Sequence, residues 1–77
     1  MNEANLERVL LAAHAAGDVA RLVEGYAQAA DIAEGVGDVP RACFFLTHAW
    51  VFALEAGDAR ARTLRARLVA HGRETET

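Results

Sequence analysis

The chain has 77 residues, 53% of them hydrophobic but only 6% aromatic, and a net charge of −3. That is enough for one domain with a modest core carried by alanine, and the charge offers no general attraction to nucleic acid or anionic lipid. Its eight basic residues are all arginine, which reads as a coding bias rather than chemistry, and the single Cys excludes an internal disulfide and fits a reducing cytoplasm. No basic N-terminal start is followed by an apolar run, so no signal peptide is expected. The longest nearly uncharged run, Ala42 to Leu54, is too short to span a bilayer.

A dipeptide recurs every twenty residues, as Gly17-Asp18, Gly37-Asp38 and Gly57-Asp58, with Ala13, Ala33 and Ala53 four positions before each Gly. Gly in the left-handed conformation ends a helix, and Asp accepts hydrogen bonds from the open N–H groups of the next one. The spacing therefore predicts an all-α domain over 1–77 with helices at about 3–16, 19–34, 39–56 and 59–71 and a frayed tail over 73–77. Such short turns make consecutive helices antiparallel.

In the first helix, Leu6, Val9, Leu10 and Ala13 face inward and Glu3, Glu7 and Arg8 lie elsewhere. The second turns Leu22, Val23, Tyr26, Ala29, Ala30 and Ala33 inward, and Gly25 in its middle marks a close helix crossing. Glu34-Gly35-Val36-Gly37 reads as the loosest connection and a hinge. Pro40 falls in the first turn of the third helix, where its missing N–H costs nothing.

The third helix holds the only Trp and all three Phe. Its expected inner face is Cys43, Leu46, Ala49, Trp50, Ala53 and Leu54. Opposite runs a narrow polar stripe, Arg41, His48 and Glu55, bordered by Phe44 and Phe52 so that Phe44, His48 and Phe52 form an i, i+4, i+8 row. Aromatics beside polar groups suit a partner-binding groove or a dimer seam. The row is more simply explained as internal core covered by the first or fourth helix, since most apolar residues of a small domain are core.

Two hairpins, Leu6 to Glu34 and Pro40 to His71, with Gly-Asp turns and small residues at their crossings, resemble the tetratricopeptide-like superfamily of helical-hairpin repeats, as in short bacterial proteins. Leu22, Tyr26 and Ala29 stand where that family prefers Ala, an aromatic and Ala. Trp50 stands where it expects a small residue, and the forty-residue hairpin interval exceeds its usual repeat of about thirty-four. The resemblance implies two stacked hairpins that bind a protein or peptide, without catalysis or cofactor. A plain four-helix bundle is the alternative architecture.

The soft metal ligands, His14, Cys43, His48 and His71, include no i, i+3 or i+4 pair on one helix. Antiparallel packing places His14 near one end, Cys43 and His71 near the other, and His48 between them, about 14 Å from the first turn of its helix. A nucleophilic pair of Cys43 with His71 lacks an orienting group, and Cys43 reads as a small buried hydrophobe. Trp50 and Tyr26 read as core anchors. Arg60, Arg62, Arg65 and Arg67 make the fourth helix basic, an alternative surface for an acidic or nucleic-acid partner. Their directions differ, however, and the net negative charge disfavours nucleic acid. The sequence thus predicts a protein-interaction module, self-associating in its simplest form, with Arg41, Phe44, His48, Phe52 and Glu55 as the contact stripe.

Overall fold

The computed structural model describes residues 3–73 of the chain. It is all-α, with α1 at Glu3–Ala16, α2 at Val19–Gly35, α3 at Val39–Ala56 and α4 at Arg60–Ala70. The frayed tail expected over 73–77 lies outside the described residues except at Arg73, whose N–H bonds to the Leu68 carbonyl at 3.0 Å. The side chain of Glu3, expected on the outer face of α1, is likewise outside them.

The three Gly-Asp turns share one geometry. Gly17, Gly37 and Gly57 have φ of 66°, 75° and 64°, the left-handed region that a Cβ makes costly. Each following Asp N–H reaches back to the alanine five residues earlier: Asp18 to Ala13 at 2.9 Å, Asp38 to Ala33 at 2.9 Å, and Asp58 to Ala53 at 2.8 Å. This is the Schellman closure, and the accepting alanines are all buried. The Asp18 and Asp38 carboxylates then accept from the N–H of Arg21 and Arg41, each at 3.2 Å, capping the next helix. Asp58 instead accepts from Arg60 N–H at 2.9 Å, and its own carbonyl takes Ala61 N–H at 3.0 Å. That tight first turn explains why α4 begins one residue later than its sequence predicts.

The segment Glu34-Gly35-Val36-Gly37 is not a looser hinge. Helix α2 continues through Gly35, Val36 N–H bonds to the carbonyls of Ile32 and Ala33, and Gly37 N–H bonds to Glu34 at 3.0 Å. The closure matches that of the other two turns.

Packing follows chain order. The extensive interfaces are α1 on α2, α2 on α3 and α3 on α4, the middle one largest, and α1 and α4 share none comparable. The molecule is accordingly a slab, 34 × 30 × 13 Å. A closed bundle would bring its first and last helices together. Leu46, Leu68 and Val23 are its largest fully buried side chains, joined by Ala30, Cys43, Ala49, Ala53 and Leu64. Small residues dominate because α3 has a neighbour on two sides and the backbones approach closely.

Gly25 is buried where α1 crosses α2. A Cβ there would stand 2.7 Å from Leu10 Cδ2, so glycine gives the Leu10 side chain its seat against α2. One expected inner residue of α3 lies elsewhere: Leu54 is 56% exposed, and Ala42 is buried in its stead. The reason is α4, which meets α3 mainly through Leu64 and Leu68 and leaves the Leu54 side uncovered.

The caps make a direct stability test. Asp38→Ala removes the side-chain acceptor at the head of the central helix and is expected to cost about 1 kcal/mol. In a domain of this size that lowers Tm by roughly 4–8 °C, read by thermal melting followed by circular dichroism.

Candidate functional site

The aromatic residues gather on one face, around Tyr26 of α2. Its hydroxyl is hydrogen-bonded to His14 Nε2 at 3.0 Å. Its ring stacks against His48 with centroids 5.1 Å apart and against Phe52 at 5.9 Å. His14 meets the Phe52 ring edge-on at 5.8 Å. The end of α1 therefore closes over the end of α3, with Tyr26 as the bridge between them.

This settles where the predicted stripe lies. His48 and Phe52 are half-buried under Tyr26 and His14, whereas Arg41, Phe44 and Glu55 are exposed. Phe44 is 57% exposed, packed only along one side by Phe45 and His48, with centroids at 5.5 Å and 4.4 Å. His48 Nδ1–H donates to the Phe44 carbonyl at 2.9 Å, which fixes the imidazole along its own helix. The row is continuous, but one end is scaffold and the other is surface.

His14 and His48 come from different helices and different levels of the slab, and Tyr26 touches both. A shift of forty residues maps α1 onto α3 and sets His14 level with Leu54, beside Phe52. That register is the signal that finds the contact. Tyr26 is a half-buried bridge with a polar tip, rather than a core anchor.

Toward their N-terminal ends α1 and α3 part and leave a groove of about 620 Å³. Leu6 and Leu10 form one wall and Phe45 the other, with Ala29 and Ile32 of α2 and Val36 just after it as the floor. Glu7, Asp38 and Arg41 line its rim. The Arg41 guanidinium lies over the Phe45 ring, 5.6 Å from its centroid. Val36 is 76% exposed, so the floor continues to the surface. Through Phe45 the groove runs into Phe44. No single stretch of sequence signals it, because three helices each contribute part.

The other layer is electrostatic. Arg67 of α4 bonds to Asp31 and Glu34 of α2, each at 2.6 Å, and His71 Nε2 bonds to Glu34 at 2.7 Å. Arg60 is held by Asp58 at 2.7 Å. Two of the four arginines proposed as a basic surface are thus tied to carboxylates of the same chain. Arg62 is exposed and Arg65 half-buried. His71 pairs with Glu34 rather than with the buried Cys43. Among the described residues no group of three or more His, Cys, Asp or Glu is gathered to hold a metal ion, and no helix is long and apolar enough to cross a membrane.

No protein-family model, curated protein or solved structure matches the chain.

Two measurements follow from this geometry. Phe44→Ala is expected to change stability by about 0.5 kcal/mol or less, since the ring is mostly exposed, while Phe52→Ala costs about 1–2 kcal/mol through loss of the Tyr26 and His14 contacts. Urea denaturation of the two variants separates surface from scaffold. The second concerns acid. His71 and then Arg67 hold the Glu34 carboxyl below its ordinary 4.5, and Arg60 holds Asp58 at about 2 rather than 3.8. Groups depressed on folding add stability that is complete above those ordinary values and is lost as pH falls through the folded ones. Stability should therefore decline from about pH 4.5 downward, as far as about 2 for Asp58. Glu34→Gln, followed by urea midpoints across that range, should lower stability at neutral pH and flatten the upper part of the acid limb.

Proposed function

We propose that this chain is a small non-enzymatic protein-interaction module of tetratricopeptide-like hairpins, working in the cytoplasm. Its contact surface is the groove between α1 and α3 together with Phe44. The observation that carries the reading is the continuity of an apolar groove of about 620 Å³ with an exposed phenylalanine. An apolar hollow with a few polar groups at its rim is the form that binding sites commonly take.

The chemistry of the lining favours a protein segment as the ligand. Leu6, Leu10, Ile32, Val36 and Phe45 offer apolar area, and Glu7, Asp38 and Arg41 at the rim set orientation. This is the pattern by which a groove takes the apolar face of a helix or an extended peptide. The predicted stripe narrows accordingly. Arg41 and Phe44 make contact, Glu55 stands at the far end, and His48 and Phe52 hold the surface from beneath. A second copy meeting at Phe44 is the self-associating form of the same reading. The basic face of α4 supports the alternative less well, because Arg60 and Arg67 already have carboxylate partners.

Selection from a displayed library of short helical peptides tests the reading. Converging sequences with two or three apolar anchors are expected. Their binding should weaken about tenfold or more in Phe44→Ala and in Val36→Glu, both surface changes that leave the helical signal intact. Binders indifferent to both substitutions, or no convergence, would refute it.

A further inference from the structure

The basic residues of α4 divide between its two flanks. Arg67 and His71 face α2 and meet Asp31 and Glu34, and Arg60 is tied to Asp58. Arg62 and Arg65 lie on the other flank, beside a hollow of about 680 Å³ between α3 and α4. Trp50 and Leu54 line it from α3, Ala66 and Val69 from α4. Trp50 is half-buried and Leu54 is 56% exposed.

The walls of this hollow carry no counter-charge of their own. The sequence has no Asp or Glu from Val39 to Leu54 on α3, and none from Ala59 to Arg73 along α4. Glu55 follows Leu54 but stands about 100° further round the helix, on the side of Phe44 and His48. Asp58 is held by Arg60 at 2.7 Å. Among the described residues no carboxylate pairs with Arg62.

We infer that this hollow takes an acidic amphipathic helix of another protein. Its apolar residues sit on Trp50 and Leu54, and its carboxylates face Arg62 and Arg65. The site is a furrow between two antiparallel helices whose backbone groups are bonded internally, so it offers no edge to an extended strand. A helix satisfies its own backbone and can set an apolar face into such a furrow. From Arg62 to Val69 the furrow runs about 10 Å, which matches about two to three turns of an incoming helix. The fold itself shows what answers an α4 arginine: Asp31 and Glu34, three apart on one face of α2, each hold Arg67 at 2.6 Å. Arg62 and Arg65 are likewise three apart, so the partner should carry carboxylates three or four residues apart beside its apolar positions. A nucleic acid fits less well, because phosphate binding gains from many cations. Here two guanidinium groups border a centre of Trp and Leu in a chain of net charge −3. The lining shares no residue with the α1/α3 groove, so the inference stands apart from the proposed peptide site.

Selection from a displayed library of helices about three turns long, on the wild type with counter-selection on Leu54→Glu, tests the inference. The clones recovered should carry carboxylates three or four residues apart beside apolar anchors. As free peptides, followed by fluorescence anisotropy, they should bind about tenfold or more weakly to Arg62→Glu. Their binding should also fall with added salt and be unchanged in Phe44→Ala. Should Leu54→Glu lose its helical signal, Ala66→Glu, an exposed position in the same hollow, replaces it. The inference is overturned if no clone depends on Leu54, or if such clones lack acidic residues or are indifferent to Arg62→Glu. An Arg62-dependent complex with a single-stranded oligonucleotide in place of the peptides overturns it too. So does a wild-type dimer that Leu54→Glu dissociates, which gives the hollow to a second copy.

Discussion

The joint at Gly-Asp is the constraint on which the rest of this structure depends. One glycine turns the chain through left-handed backbone, the next N–H closes the finished helix onto a buried alanine carbonyl, and the aspartate opens the following helix. The open backbone groups at each helix junction are thereby satisfied within a few residues. A turn so short leaves the next helix no choice but to run back along the last. Repeating it every twenty residues yields a slab in which each helix meets chiefly its predecessor and its successor.

Within the slab, α2 and α3 each have neighbours on two sides, and alanine makes that possible. Ala42, Ala49 and Ala53 on α3 and Ala29, Ala30 and Ala33 on α2 are buried, so the helices approach closely. The cost is a thin core, in which only a few leucines and Val23 contribute large buried area. Such a domain gains proportionally more from side-chain interactions at its margins, and the two layers differ in how they supply them. One layer holds α2 to α4 with Arg67, Glu34, Asp31 and His71. The other holds α1 to α3 with rings around Tyr26. Rings leave apolar surface at their edges where ion pairs leave polar surface, so the groove opens beside the aromatic layer.

The groove itself is a consequence of unequal side chains along two nearly equivalent helices. Where His14, Tyr26 and Phe52 meet, α1 and α3 are bridged. Where Leu6 and Leu10 face Phe45 across Ala29 and Ala33, small residues on the floor leave space that no other described residue fills. Gly25 lets the Leu10 side chain lie against α2 at the edge of that space.

The sequence by itself determined the helices, their turns and most of the core, because these depend on residues close together in the chain. Gly-Asp spacing, Pro40 and the 3.6-residue rhythm of the apolar residues are all local, and they place every helix boundary within one residue of the observed one. It could also point to Phe44 and Arg41 on the outer side of α3. Only the tertiary structure decided that Phe52 and His48 lie under Tyr26 and that Leu54 faces out. It alone set His14 beside Phe52 and bound Arg67 to α2. Those outcomes depend on how far each helix is rotated against its neighbour, which is fixed by the summed packing of side chains from three helices. A periodic pattern defines a face to within a residue or two, and at the edge of a face that margin separates core from surface.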